Sequence, residues 1–83
     1  MSLFMDMHEH VDGLTAQAVA EAHAKDLEVQ GDHGVSYLRY WFNEDDGTVF
    51  CLVDAPDADA ATQVHRTAHG LLADRIVPVQ EGS

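Results

Sequence analysis

Residues 35–54, VSYLRYWFNEDDGTVFCLVD, predict a β-hairpin at the centre of the fold. The two halves, residues 35–43 and 48–54, are rich in the β-branched and aromatic residues that favour strands. Between them, residues 44–47 are Glu-Asp-Asp-Gly, and the closing Asp-Gly pair is a strong signal for a hairpin turn. The centre of the chain is therefore expected to form two antiparallel strands.

A helical pattern flanks the hairpin on each side. Thr15 is a suitable N-cap for an alanine-rich helix over residues 16–30, and Asp57 is one for a second helix over residues 58–73. The short polar side chain of either cap can accept a hydrogen bond from a first-turn backbone N–H that would otherwise lack a partner. One helix is therefore expected before the hairpin and one after it.

Each end of the chain predicts one more strand. Residues 3–11 alternate in a way that is compatible with a strand, and residues 75–80 form a short last one. Pro78 favours an edge position for the last strand, because proline has no N–H to donate. The order βαββαβ predicts a ferredoxin-like α+β fold, a single domain over residues 1–83 with a four-stranded antiparallel sheet and both helices on one face.

The sheet face without helices needs a cover. Tyr37, Arg39 and Trp41 alternate along one strand and are expected to share this face. A large aromatic side chain such as that of Trp41, left exposed on an open sheet, would form an association patch. We therefore expect a homodimer in which two open faces pack together as a closed barrel.

Charge excludes several classes of partner. The chain has 15 acidic and four basic side chains and a formal net charge of -11, whereas nucleic acids and anionic membranes bind basic surfaces.

Its apolar runs fall far short of the roughly 20 residues that a membrane span needs. The start of the chain lacks the basic flank and apolar core of a signal peptide, so a cytoplasmic location is expected. Cys51, the single cysteine, cannot form an internal disulfide.

Six histidines point to metal binding, and four of them form two spaced pairs. His8 and His10 would lie on one face of a strand, and His65 and His69 lie one helical turn apart. Imidazole and carboxylate groups suit divalent nickel, zinc or copper. The predicted ligands are therefore His8, His10, His65 and His69, which can belong to one site or to two, on the sheet face and at the helix end.

Each pair also has a simpler interpretation. His8 and His10 can be part of a polar sheet face at a dimer seam, and Asp6 on the same face is either a further ligand or a partner of a ligand. His65 can be a hydrogen-bonded core histidine. Arg66 follows His65 where a zinc protease helix has glutamate, so that class of hydrolase is excluded as a motif match.

The remaining candidates carry weaker signals. His23 is expected on the inner side of the first helix as a structural residue, and His33 in a Gly-Asp-His-Gly turn as an exposed one. Cys51, between apolar strand residues, is expected to pack in the core as a buried thiol. The sequence leaves open whether His23, Asp6 or Cys51 is also a ligand.

Five segments of the chain together resemble a known family: residues 4–8, 20–23, 38–42, 48–53 and 64–70. The most specific are the Arg-Tyr-Trp-Phe strand and the His-Arg-Thr-Ala-His-Gly helix end. The chain is similar, from Phe4 to about Val79, to a family of small bacterial domains of unknown function, typified by a nickel-binding protein with a dimeric ferredoxin-like fold. The resemblance implies a nickel-binding, homodimeric cytoplasmic protein for sequestration or storage, without a ligand set that can be transferred residue by residue.

Three functions are compatible with these patterns. The first is a homodimer that binds nickel ions through histidines. The second is a cofactor-free enzyme of the dimeric barrel type, in which His8, His23 or His65 is the acid or base for a small hydrophobic substrate. The third is a metal-free interaction module. A deep pocket enclosing a histidine–carboxylate pair would favour the enzyme, and histidines that point to open solvent would not.

Overall fold

The elements follow one another in the predicted order βαββαβ. The computed structural model describes residues 2–82, and Met1 and Ser83, the two ends of the expected domain, lie outside the described residues. The strands are β1 (Ser2–His8), β2 (Ser36–Asn43), β3 (Thr48–Ala55) and β4 (Arg75–Pro78). The helices are α1 (Ala16–Val29), followed by a short 3-10 helix (Gln30–His33), and α2 (Ala58–Ala68).

The four strands form one antiparallel sheet in the order β2-β3-β1-β4. Strands β2 and β3 are the predicted hairpin, and β4 is an edge strand, as Pro78 indicated. Thr15 and Asp57 cap the two helices as expected, since their side chains accept hydrogen bonds from the N–H groups of Ala18 and Ala60. The predicted fold class is therefore confirmed.

Strand β1 ends at His8, three residues before the predicted end. His10 has φ = 55°, a left-handed backbone conformation that a strand cannot contain. The N–H of Val11 then donates to the carbonyl of Gly47 in the hairpin turn, at 2.9 Å. His8 and His10 therefore do not lie on one regular strand face.

Helix α2 also ends early, at Ala68 instead of near residue 73. The N–H of Gly70 donates to the carbonyl of His65 at 2.8 Å, and Gly70 takes φ = 77°, a conformation that favours glycine and stops a helix. Leu71 and Leu72 follow outside the helix and are 54% and 41% exposed.

Tyr37 lies on the opposite sheet face from the one predicted. The pairing of β2 with β3 shifts between Tyr37 and Arg39, so Leu38 is an extra residue in a β-bulge. A bulge changes which residues share a face. Arg39 and Trp41 therefore remain on the open face, whereas the buried Tyr37 side chain faces the helices.

The core lies between the helices and the covered sheet face. Its buried apolar residues come from α1, α2, β2 and β3 and the turns beside them: Val19, Val35, Tyr37, Val49, Cys51, Val53, Ala55, Ala61 and Val64. Four polar side chains are buried in the same layer: Asp6, His8, Asp26 and His65. No helix within residues 2–82 is long and apolar enough to span a bilayer. The polar members of the core are the ones that build the site.

Gly47 gives a test of the hairpin turn that holds the segment after β1. It has φ = 70°, and a Cβ there would lie 3.1 Å from the carbonyl oxygen of Val11. Gly47→Ala is expected to lower the free energy of unfolding in urea by about 1–3 kcal/mol, because both the backbone and the contact would be strained. Gly31→Ala is the matched control, since Gly31 has ordinary φ and open space. Equal effects of the two substitutions would contradict this account.

Candidate metal centre

His65, on α2, lies at the centre of a buried cluster and is 2% exposed. Its Nδ1 is 2.9 Å from Oδ1 of Asp26 on α1, and its Nε2 is 2.9 Å from Oδ2 of Asp6 on β1. Each ring nitrogen therefore has a carboxylate partner. The three side chains join the sheet to both helices.

Two further histidines pack against this ring, one from each predicted pair. Nε2 of His8 lies 3.3 Å from Oδ1 of Asp6, and Nε2 of His69 lies 3.0 Å from Oδ1 of Asp26. The ring centroids of His8 and His69 are 5.0 Å and 4.9 Å from that of His65. The end of β1 and the end of α2 therefore meet in one cluster, and they do not form two separate groups.

Tyr37 and Leu71 hold the edges of the cluster in place. The hydroxyl of Tyr37 lies 3.2 Å from Oδ2 of Asp6 and 3.0 Å from the carbonyl oxygen of Ala61. Its burial follows from the bulge in β2. On the other side, the backbone N–H of Leu71 donates to Nδ1 of His69 at 3.1 Å.

The charges of the cluster stabilise one another. Burial alone would raise the pKa of Asp6 and Asp26, but His65, together with His8 for Asp6 and His69 for Asp26, holds both pKa values below their usual range. Burial alone would lower the pKa of His65, but the two carboxylates raise it to about 9. Without a metal, His65 is therefore an imidazolium between two carboxylates at neutral pH.

Cys51 and Tyr37 stay protonated in the same surroundings. Burial, followed by the nearby carboxylate of Asp6, raises the pKa of the Cys51 thiol and that of the Tyr37 hydroxyl. Cys51 is buried in the core, as predicted, and lies directly opposite Asp6 in the pairing of β1 with β3. A thiolate at this position would need a metal ion to stabilise it.

The possible ligand atoms fall into two groups that share His65. The inner set is Asp6, His8, Cys51 and His65, and the outer set is Asp26, His65 and His69. Within each set the ligand atoms lie within 4.8 Å of one another. Nitrogen, oxygen and sulfur donors at such separations can converge on one divalent ion after small side-chain rotations.

One buried oxygen also has the properties of a metal ligand. Among residues 2–82, Oδ1 of Asp6 is buried without a hydrogen-bond partner. A buried carboxylate oxygen normally has a partner, because burial without one costs free energy. A bound cation would provide the missing interaction, so the donor set and its geometry fit a divalent metal.

Every member of the two sets except Asp6 lines a cavity of about 520 Å³. His8, Cys51, Asp26, His65 and His69 contribute to its wall. The apolar part includes Leu14, Val19, Val49, Leu71 and Leu72. An ion with bound water could therefore reach the cluster from solvent.

The structure brings together three of the four histidines predicted as ligands: His8, His65 and His69. His10 is exposed, lines the cavity and belongs to neither set, so its role as a ligand stays a prediction. His23 packs against Tyr40, with ring centroids 4.7 Å apart. His33 lies in the 3-10 helix and is half-buried, whereas an exposed turn position was predicted for it.

Asp26 is the member that the sequence analysis missed. A signal was present, because Asp26 lies seven residues after the buried Val19 and thus on the inner stripe of α1. A carboxylate at a core position of a helix indicates a buried partner. Leu27, the next residue on α1, is 45% exposed.

The shifted pKa values predict how the stability of the metal-free protein depends on pH. The raised pKa of His65 gives stability that is complete below about pH 6.5 and is lost as pH rises through about 9. The lowered pKa values of Asp6 and Asp26 give stability that is present above about pH 4 and is lost at lower pH. Stability should therefore be greatest between about pH 4 and 6.5 and fall by about 3 kcal/mol by pH 9.

Urea unfolding with a chelator present, at a series of pH values, measures this dependence. His65→Gln is the matched variant, because its amide does not titrate and should remove the decline between pH 6.5 and 9. A wild-type free energy of unfolding that stays constant over this interval would contradict the assignment of His65 as a buried imidazolium.

Comparison with known proteins gives the family. The sequence pattern of a family described as "Nickel responsive protein SCO4226-like" matches residues 4–79. The crystal structure of SCO4226 from Streptomyces coelicolor A3(2) superposes with a TM-score of 0.92 at 35% identity, over 99% of this chain and 100% of that one. No curated protein gives a significant sequence match. The predicted resemblance is thus confirmed, and the chain belongs to the SCO4226-like family of nickel-responsive proteins.

Proposed function

We propose that this protein binds divalent nickel at the His65 cluster and serves to sequester or store it in the cytoplasm. The observation that carries the proposal is the meeting of Asp26, His65 and His69 at the wall of a cavity that solvent can enter. The family description, which concerns a response to nickel, supports the choice of metal.

The outer set has the chemistry that nickel prefers. It offers two imidazole nitrogens and one carboxylate oxygen, and it faces a cavity large enough for water. Nickel with nitrogen and oxygen ligands accepts a larger shell than three donors, which water can complete. The shared carboxylate of Asp26 brings negative charge to the position where the cation would bind.

The four histidines predicted from sequence have different parts in this proposal. His65 and His69 are direct ligands, whereas His8 belongs to the neighbouring inner set. His10 is exposed and lines the same cavity, where its imidazole can take part in capture of the ion. His10→Ala is therefore expected to weaken binding less than His69→Ala does.

Nickel binding to untagged protein tests the proposal by isothermal titration calorimetry at pH 7.5. His65→Ala is expected to abolish binding, and His69→Ala to weaken it at least about tenfold, since loss of a supporting partner alone already costs 10–100-fold. His33→Ala is the matched control, because His33 lies outside both sets, and it should bind like wild type. Absence of nickel binding to wild-type protein would refute the proposal.

The same titrations at several pH values test the part of His65. Its proton must leave before a ring nitrogen can bind the ion, so the affinity should rise about tenfold per pH unit from neutral pH to about 9. About one proton should be released from His65 for each ion. An affinity independent of pH over this interval would show that His65 is not a ligand.

We also propose that the protein is a homodimer through the open sheet face. The apolar residues of this face are Leu3, Met5, Met7, Trp41, Phe50, Leu52 and Val77, and Arg39 and Arg75 lie among them. Trp41 and Phe50, which lie opposite each other, are 48% and 37% exposed. Exposed apolar residues on neighbouring strands are typical of an interface, and a second copy would cover them with an equal surface.

Trp41→Asp is expected to convert the dimer to a monomer, because it would place a carboxylate in the apolar interface. Leu27→Asp is the matched control, since Leu27 is 45% exposed but lies on α1, away from the open face. Sedimentation equilibrium measures the mass of each variant. A wild-type protein that is monomeric at all concentrations would contradict the proposed interface.

A second candidate function is acid–base catalysis without a cofactor. The observation that favours it is the cavity itself, since its wall contains a histidine–carboxylate pair, Asp26 with His69. His65 suits this function less well, because carboxylates occupy both of its nitrogens. Binding of small apolar molecules by the metal-free protein, seen as an increase in its thermal midpoint, would favour this candidate over the first.

A further inference from the structure

The two nitrogens of His65 point into different ligand sets. Nε2 faces the inner set through Asp6, and Nδ1 faces the outer set through Asp26. A neutral imidazole has one nitrogen with a free lone pair and one that carries a proton. Ions on both nitrogens at once would require the ring to lose both protons and would place two dications across one ring. Neutral His65 can therefore complete only one set at a time.

The inner set differs from the outer set in composition and in access to water. It has four donors, with a sulfur atom among them, and all four side chains are buried. Strand pairing fixes two of them side by side, since Asp6 lies opposite Cys51. Four buried protein donors that include a thiol suit a tetrahedral ion without water, which is the preferred geometry of zinc.

An oxygen without a hydrogen-bond partner belongs to this inner set. Oδ1 of Asp6 lies 3.3 Å from Nε2 of His8 but makes no hydrogen bond, a property that it shares among residues 2–82 with Oδ1 of Asp54, which belongs to neither set. Asp6 is 1% exposed, so bulk water cannot take the place of the missing hydrogen-bond partner of this oxygen. His8 and Cys51 also contribute to the cavity wall, which gives an ion access to the inner set.

We infer that the cluster contains two alternative metal sites that exclude each other: an open one for nickel at Asp26, His65 and His69, and a closed one for zinc at Asp6, His8, Cys51 and His65. The nickel site rests on the proposed function, whereas the zinc site is argued from the inner set alone. When one site is filled, the remaining N–H of His65 donates to the carboxylate of the other. The unused carboxylate then orients the bound ligand, as carboxylates do behind metal-bound histidines.

Metal competition on untagged dialysed protein tests the exclusion. With nickel alone, zinc alone, or both together, elemental analysis is expected to find one tightly held ion per chain, and zinc is expected to displace nickel. Two ions per chain, one of each metal, would overturn the inference while leaving nickel binding intact. Absence of nickel binding with zinc still bound would instead refute the proposed function, and the open site with it, while leaving the closed zinc site intact.

Two substitutions should separate the sites. Cys51→Ser is expected to weaken zinc binding at least tenfold and to change nickel binding less than twofold. His69→Ala should have the opposite effect, and His65→Ala should abolish both. Circular dichroism confirms that each variant is folded. An unchanged affinity of folded Cys51→Ser for zinc would overturn the closed site.

Cobalt provides a test that needs no variant. Co²⁺ bound to wild-type protein in place of zinc is expected to show a near-ultraviolet sulfur-to-metal charge-transfer band and the intense visible absorption of a four-coordinate ion. Added zinc should abolish both signals. Bound cobalt with neither signal would mean that Cys51 is not a ligand and would overturn the inference, even if Cys51→Ser did not fold.

Discussion

The contact on which the rest of the molecule depends is the imidazole of His65 held between the carboxylates of Asp6 and Asp26. It connects β1, α1 and α2 in a chain that is too small to have a large apolar core. Removing one partner of such a buried group leaves an uncompensated charge, at a cost of about 3–5 kcal/mol. The cluster therefore has a structural role, and a metal ion bound there would have to replace its protons without separating the elements.

The division of the sheet into two faces gives separate surfaces to the proposed ion site and to the proposed association. The helices cover one face, and the ligand sets lie at the end of that layer where the cavity opens. The other face carries the apolar residues that a second copy would bury. The ligand sets and the apolar open face do not compete for the same side chains, because alternate residues of each strand point to opposite faces of the sheet.

Much of the fold was predictable from local patterns, because the hairpin, both helix caps and the edge strand depend on neighbours in sequence. The site was predictable only in part. Histidine spacing pointed to the pairs His8/His10 and His65/His69 but left open whether they belong to one site or to two, since nothing local shows that β1 and α2 end at the same place. The bulge at Leu38, which turns Tyr37 toward Asp6, has no compositional signal. Asp26 meets its partner 39 residues away, so only the packing of α1 against α2 shows the contact.

The hydrogen bond from the N–H of Leu71 to Nδ1 of His69 would couple ion binding at the outer set to the surface of the protein. Because Nδ1 accepts that bond, a neutral His69 carries its proton on Nε2, the nitrogen that faces Asp26. An ion bound through Nε2 would move the proton to Nδ1, where it would oppose the N–H of Leu71. The backbone after α2 would then have to shift, and with it the exposed side chains of Leu71 and Leu72. A tautomer change at one ring would thus become a change in the shape of the protein surface.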